Sequence, residues 1–351
     1  MMRAVKDLIS MPCDVCGKDN PEPYCEVSLG EVFDRCIYRC KACGFRQIRP
    51  RLGMDELVQL YTSDYFDPNA TVGYRDYARE AQRRAREAYF FTRKITKRSV
   101  PVRILEVGCA LGFLLDALRH QGFEVEGVDA APFSAYYAKT RLNLKIACGT
   151  LEDAQFPNEH FNYVIQKDLL EHVPDPRQHL HETARVMKSG GELWLITPNG
   201  EANLRPFVSK NRQRTSLDHQ LPLLSQGHLS FFSYSHLKIL FKHCGFEILR
   251  SRCIGVRRGL RALGFLGNQK KFFQRVDRRV SLATNTPSIT CETEDDFSLR
   301  ATEIDAAMKR HHRGLRESLI YYYFHRLGKW ADTLPAATEL GYDFEFWLKK
   351  R

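Results

Sequence analysis

No stretch of this 351-residue chain approaches the roughly 20 consecutive apolar residues that a membrane-spanning helix requires. The N-terminus, Met1-Met-Arg-Ala-Val-Lys-Asp7, also lacks the apolar core of a secretory signal, so the expected location is the cytoplasm. Acidic residues are in deficit: 42 Asp and Glu stand against 53 Lys and Arg, a net charge of +11. That balance suits an acidic partner such as RNA, a nucleotide-sugar, a polyprenyl-diphosphate carrier or an anionic membrane surface, and charge alone does not choose among them. Cysteine is not scarce, with 11 residues. Length, the missing signal and the cysteine spacing nevertheless argue for reduced thiols rather than a disulfide framework. The chain is longer than a usual single domain, which predicts one α/β core with smaller appendages.

Four of the cysteines are patterned. Cys13-Asp-Val-Cys16-Gly17 and Cys40-Lys-Ala-Cys43-Gly44 are two C-x-x-C-G knuckles, with 23 residues between Cys16 and Cys40. In each, two thiolates can face one ion, and the following Gly permits the tight turn that aims backbone amides at the sulfurs. The spacing predicts a tetrahedral structural zinc held by Cys13, Cys16, Cys40 and Cys43. Such an ion does no chemistry; it folds a segment too small for its own core. Cys25 and Cys36, between the knuckles, lack that spacing and are assigned as core or surface thiols.

The segment Ile104-Leu-Glu-Val-Gly-Cys-Ala-Leu-Gly-Phe-Leu-Leu115 runs from an apolar strand through a Gly-spaced turn into a helix. Gly108 and Gly112 let the backbone turn sharply and approach a ligand. A second strand, Val125-Glu-Gly-Val-Asp129, ends on a carboxylate able to accept hydrogen bonds from ribose hydroxyls. The G-x-G-x-x-G that seats a pyrophosphate on a helix N-terminus is absent. Instead Glu106 stands two residues before Gly108, where a carboxylate repels a pyrophosphate and attracts an ammonium. The E-x-G-x-x-x-G form therefore suits S-adenosylmethionine, cationic at both its amine and its sulfonium. Glu106, Gly108, Cys109, Ala110, Gly112, Asp129 and Ala130 are the candidate cofactor contacts. From residue 102 strands alternate with helices: strands at 102–107, 123–128, 144–148, 161–166 and 192–197, helices at 112–121, 132–141 and 176–188. That alternation predicts a doubly wound α/β sheet with its ligand at the strands' C-terminal ends.

These residues resemble motif I and its following acid in class I S-adenosylmethionine-dependent methyltransferases. The departure is Ala110, where the family usually has Gly; an Ala at positive φ costs about 1 kcal/mol. Tyr38-Arg-Cys-Lys-Ala-Cys-Gly-Phe-Arg-Gln-Ile-Arg-Pro50, Glu56-Leu-Val-Gln-Leu-Tyr61 and Asp64-Tyr-Phe66 resemble the lead-in of methyltransferases with an N-terminal zinc ribbon, associated with polysaccharide, deoxysugar and natural-product pathways. Phe161-Asn-Tyr-Val-Ile-Gln-Lys-Asp-Leu-Leu-Glu-His-Val-Pro-Asp-Pro176, with Met187-Lys-Ser-Gly-Gly191, is similar to small-molecule methyltransferases, including the ubiquinone-biosynthesis O-methyltransferases. The resemblance spans about residues 11–250. It implies a Rossmann-like seven-stranded sheet, and adenine contacts from Thr150, Leu151 and Glu152, in a turn that would serve equally as polar surface.

A hydroxyl acceptor needs a base as well as in-line positioning. His172, just after the fourth strand, has a side chain suited to proton transfer near neutrality; Asp168 shares its loop. His228, in Gly227-His-Leu-Ser-Phe-Phe-Ser-Tyr-Ser-His236, comes from the segment that the family places over the acceptor. The Asn/Asp-Pro-Pro-Tyr of amine-modifying RNA and DNA methyltransferases is absent, which disfavours base N-methylation.

Four regions are expected: a zinc ribbon (1–50), a helical cap (51–100) with a helix at 76–98, the methyltransferase core (101–255) and a mainly helical basic extension (256–351). Tyr65, Tyr74 and Tyr77 form either a lid or packing for the cap helix. Residues 250–280 mix ten basic residues with apolar ones, as in a basic amphipathic helix that suits a membrane's inner face, a phosphorylated or lipid-linked acceptor, or simple packing on the core. Residues 281–299 look like a loop, and the tail with Tyr321, Trp330 and Trp347 reads as helical. The expected activity is S-adenosylmethionine-dependent methylation, at oxygen, of a small-molecule or glycan acceptor. The alternatives are an RNA methyltransferase that uses ribbon and basic surface, and a noncatalytic cofactor-binding module.

Overall fold

In the computed structural model, the described residues are 12–28, 34–49, 76–95, 101–204, 228–256, 293–311 and 333–351, with 51, 53, 58, 61, 63–68 and 260. Strands β1 (Pro21–Ser28), β2 (Asp34–Cys40) and β3 (Arg46–Arg49) form an antiparallel N-terminal ribbon. Helix α1 (Tyr77–Lys94) follows. The Asp76 side chain caps it by accepting from Arg79 N at 3.0 Å, and Glu80 pairs with Arg83 and Arg84 along its length. Its apolar stripe, Ala78, Ala88 and Phe91, is buried against the sheet.

The core alternates as expected: β4 (Arg103–Val107), α2 (Phe113–Arg119), β5 (Glu124–Asp129), α3 (Pro132–Leu142), β6 (Ile146–Cys148), β7 (Phe161–Lys167), α4 (Pro176–Val186) and β8 (Met187–Pro198). Strand β7 is buried along its whole length, with the polar side chains of Asn162, Gln166 and Lys167 buried beside the apolar Tyr163, Val164 and Ile165. Chain order runs β4-β5-β6 to one side and resumes at β7-β8 on the other, all parallel. The reversal leaves a crevice at the C-terminal ends of β4 and β7, where such sheets bind ligands.

After β9 (Ser230–Phe231) and α5 (Tyr234–His243), strand β10 (Phe246–Ile254) lies near the other edge. Helix α6 (Glu294–His311), β11 (Thr333–Pro335) and β12 (Asp343–Lys350) complete the described elements. The large sheet has eight strands in the order β11-β10-β12-β8-β7-β4-β5-β6: the expected seven plus the short edge strand β11.

Three expectations are corrected. Trp347, expected on a helix, lies on β12, which enters the sheet antiparallel between β8 and β10. Its Asp-Phe-Glu-Phe-Trp-Leu pattern alternates at the strand period, and Trp347 joins Phe91 and Trp194 in a cluster of three mutually stacked rings. The sheet is thus completed by residues far beyond 255. Residues 294–299, expected in a loop, open α6, because Thr293 and Asp296 cap that helix reciprocally and three acids occupy its first turn. Arg250 and Arg252, assigned to a basic helix, lie on β10, where Arg252 pairs with the buried Glu345. The rest of that segment, apart from 253–256 and 260, lies outside the described residues, as do Tyr74, Tyr321 and Trp330 and the side chains of Cys25 and Cys36.

Candidate active site

The turn after β4 is built on three residues at positive φ: Gly108 (71°), Ala110 (48°) and Gly112 (82°). A Cβ on Gly112 would fall 2.8 Å from Leu144 Cδ1, so that Gly also admits helix α3's neighbours to the turn. Ala110 carries the strain of a left-handed residue with a Cβ. Its N–H donates to Asp129 Oδ2 at 2.8 Å, and Ala131 N donates to Oδ1 at 3.0 Å. Asp129 therefore spans the tips of β4 and β5 and pins the strained turn. Burial raises its carboxyl, and these two amides oppose that. Cys109 is buried behind the turn, its Sγ 2.9 Å from where a Cβ on Gly127 would stand; Ala130 is half-buried beside Asp129.

Glu106 is 3% exposed, and its Oε2 has no hydrogen-bond partner. Burial pushes its carboxyl up to about 7. An orphaned buried carboxylate oxygen beneath a turn free of obstructing side chains fits the ammonium end of S-adenosylmethionine. Beside it, Lys167 Nζ at the end of β7 pairs with Glu87 of α1. Burial alone would raise Glu87, but Lys167, Arg84 and Arg83 outweigh it and hold the carboxyl near 2. A shallow crevice opens between α1 and the turn, lined by Glu80, Arg84, Ala110 and Phe113 among others.

Of the three residues expected at the adenine, Thr150 donates through N and Oγ1 to Asp153 Oδ2, closing a local turn. Leu151 is buried in the main core, and Glu152 Oε1 lies 3.7 Å from His179 Nδ1. Two of them thus have local partners, and Leu151 presents little surface.

Beyond β7 the structure brings His172 and His228 together, 56 residues apart in sequence, with ring centroids 4.7 Å apart and planes perpendicular. His172 ends a 3-10 turn, Leu170–His172, that follows β7. Its Nδ1 meets Tyr61 Oη at 3.0 Å, and its Nε2 lies 3.7 Å from Glu171 Oε1. His228 is 8% exposed, and burial, reinforced by His172, drives its imidazole well below the usual histidine range. Asp168 is exposed at φ 53° and accordingly stands outside the pair, on the same loop.

Two participants went unassigned in the sequence. Glu171 is buried, accepts from Thr197 Oγ1 at 2.9 Å, and is raised well above the carboxylate range by burial and by Asp168. Tyr61 is raised likewise, by burial first. Glu171 adjoins His172 in the motif, which is a usable signal; Tyr61 shows none, because its partner lies 111 residues away. Tyr77 is buried, with its hydroxyl on Phe66 O, and Tyr65 packs edge-on against Tyr61 and Phe66. Both pack the cap.

At the N-terminus the four knuckle sulfurs lie within 4.8 Å of one another, with Cys13–Cys43 and Cys16–Cys40 each at 3.6 Å. A tetrahedron of sulfurs about 2.3 Å from a zinc has edges of about 3.8 Å, so the donor set fits that ion. Gly17 and Gly44 take φ 74° and 79°, closing each knuckle with a bond to the carbonyl of its first cysteine.

A doubly wound sheet with an acid-tipped second strand, a Gly-spaced turn and an orphaned carboxylate beneath it defines a nucleoside-cofactor enzyme of the Rossmann-like class. Residues 74–251, half of the chain, match the family model described as "Methyltransferase domain", and the chain belongs to that family of S-adenosylmethionine-dependent methyltransferases. It is 35% identical over 101 residues to the ubiquinone biosynthesis O-methyltransferase of Coxiella burnetii (strain Dugway 5J108-111), covering 27% of this chain and 43% of that protein. The namesake enzyme of Azoarcus sp. (strain BH72) is 25% identical over 154 residues, covering 42% and 65%. The chain thus matches less than two thirds of the length of these relatives. Among solved structures, a SAM-dependent methyltransferase from Archaeoglobus fulgidus aligns with TM-score 0.42 at 14% identity, covering 76% of this chain and 94% of that one. No described helix is long and apolar enough to cross a membrane.

Proposed function

We propose that the chain methylates a hydroxyl oxygen of a small-molecule or glycan acceptor, with His228 as the base and His172 as its positioning partner. The observation that carries this is the perpendicular His172–His228 pair, with His172 three residues after Leu169, whose Cδ1 lies 3.2 Å from where a Cβ on Gly108 of the motif I turn would stand. When bound, S-adenosylmethionine supplies an electrophilic methyl group on a sulfonium. Glu106 and Asp129 would hold its cationic and ribose ends, with the 108–112 turn cradling it. His172 is held by Tyr61 at Nδ1, and Glu171 Oε1 stands 3.7 Å from its Nε2. Burial keeps His228 neutral, so the ring is free to take the acceptor's hydroxyl proton as the oxygen attacks, although the same burial lowers its basicity. Asp168, exposed on the same loop, is the group next placed to assist.

Oxygen is favoured over a base nitrogen by the relatives' O-methyltransferase activity. The net charge of +11 favours an acceptor carrying phosphate or a lipid diphosphate, presented at an anionic membrane face, over a neutral one. Cys13, Cys16, Cys40 and Cys43 would hold a structural zinc. The test is labelled-methyl transfer from S-adenosylmethionine to a panel of phenols, sugars and nucleotide-sugars, with RNA in parallel. Loss of transfer to a hydroxyl acceptor in His228→Ala is the expected result. Full turnover with unchanged pH dependence in His228→Ala, or no cofactor binding at millimolar concentration, would sink the reading.

A further inference from the structure

The cysteine ribbon and the histidine pair meet at one residue. Leu229 accepts from Ile48 N at 2.9 Å through its carbonyl, and its own N–H donates to Glu171 O at 2.7 Å. Its neighbour in sequence is His228, and Glu171 adjoins His172. The next residues, Ser230 and Phe231, form β9, which pairs with Gln47 and Arg46 of β3, so that a core strand completes the ribbon's sheet.

The ribbon end of this connection is anchored at both knuckles. Arg177 of α4 donates from Nε to Asp14 O at 2.7 Å and from Nη2 to Val15 O at 2.9 Å, inside the first knuckle. In the second, His236 faces Cys43 O at 3.0 Å through Nε2. Its Nδ1 accepts from Ser233 N at 3.1 Å, which fixes the tautomer: Nε2 carries the proton and donates to Cys43. Phe45, immediately after that knuckle, stacks on Phe232 with centroids 5.2 Å apart. The cofactor turn is held differently, through Ala110, Asp129 and Ala131 on the far side of β4 from β7.

We propose that the metal-loaded ribbon is a positioning element of the acceptor site, fixing His228 through the Ile48–Leu229 pairing. This rests on the assignment of His228 as base and on the four cysteines holding an ion. A ribbon this small has no core of its own without the ion. Its loss frees β3, and with it one of the two bonds that hold Leu229. Glu171 and His172 keep their place on the loop after β7, so the two rings lose register while the cofactor turn stays intact. A displacement on the order of 1 Å suffices to cost a transfer step as much as 100-fold.

The test uses the full chain and two perturbations. Ile48→Pro deletes the donor to Leu229 while sparing every cysteine; Ile48 is buried on an inner strand, so the variant also costs packing and the chelation arm is read independently of it. In wild type, a chelator strips the metal. Expected in both are shifted His228 ring signals in ¹H–¹⁵N spectra, a changed His228 titration, transfer slowed roughly 10- to 100-fold, and an S-adenosylmethionine Kd within about twofold of wild type. Ile48→Pro keeps its bound metal; on chelation the Ile48 and Leu229 amides exchange faster with solvent. Unchanged His228 signals and amide exchange after chelation overturn the proposal, even if Ile48→Pro fails to fold. Weakened cofactor binding in step with transfer overturns it too, since a general loss of structure would then suffice. The spectroscopic arms need no acceptor, so a fully active His228→Ala variant would refute the base assignment without touching the ribbon's hold on that ring.

Discussion

Cofactor binding should depend on pH through Glu106, and the dependence follows from its burial. The cofactor-free carboxyl titrates near 7 because burial disfavours its charged form. Occupation by an ammonium favours the ionised form, so binding below that pH must expel a proton. A group titrating near 7 is ionised in about one molecule in thirty at pH 5.5 and in one in two at pH 7, which predicts roughly 15-fold tighter S-adenosylmethionine binding at the higher pH. The window stops at 7 because the ligand's own α-amine begins to deprotonate near 8. Titration calorimetry in two buffers of different ionisation enthalpy reads both the affinity and the proton released. Glu106→Gln should flatten the slope and weaken binding at pH 7 by about 2 kcal/mol, the size of a hydrogen bond to a charged group. The same variant should stabilise the cofactor-free protein. Below the unfolded-state value of 4.5 both states hold the proton; between 4.5 and 7 only the folded state does, so native stability falls as pH rises and bottoms out about 3 kcal/mol lower. Affinity independent of pH between 5.5 and 7, or a Gln variant with the wild-type slope, refutes the assignment of Glu106 to the ammonium.

The remaining predictions address the turn, the histidine pair and the sheet. Ala110→Gly relieves a left-handed residue and should raise stability by about 0.5 kcal/mol, the relief of about 1 kcal/mol exceeding the unfolded-state entropy it adds; denaturant melts at matched m-values measure it. His228 binds fewer protons folded than unfolded, so it subtracts stability as pH falls below 6.5. His228→Gln should make acid unfolding shallower, seen as a smaller drop in Tm between pH 7 and 5. Trp347→Ala should cost about 3–5 kcal/mol, on the order of other buried Trp truncations, because it removes one of three mutually stacked rings; a loss under about 1 kcal/mol would contradict the placement of β12. Gly200→Ala would put a Cβ 2.5 Å from the backbone carbonyl carbon of Phe231, so it should destabilise by about 3 kcal/mol and loosen the segment after His228.

Much of the site was legible because its signals are local. The turn at 108–112, its acid Asp129 and the four knuckle cysteines each depend on spacings that a short segment enforces by itself. The alternation of β4 through β8 is likewise local, since helix and strand periods show within a dozen residues. Thr150 and Glu152 were placed by resemblance, and the structure finds them partnered within their own neighbourhood. The tail misled because aromatic residues pack equally well on helices and strands, and β12 earns its conformation from β8 and β10, distant in sequence.

Sequence by itself determined the methyltransferase class, the spacing that gathers four cysteines and the parallel half of the sheet, since each is written in residue types at short range. Tertiary structure alone decided that residues 343–350 form an inner strand, that His228 meets His172 beside Glu171 and Tyr61, and that the ribbon shares a sheet with the acceptor-side segment. Those outcomes depend on burial and on backbone pairing between segments up to hundreds of residues apart, and no local spacing records which groups will lose water together.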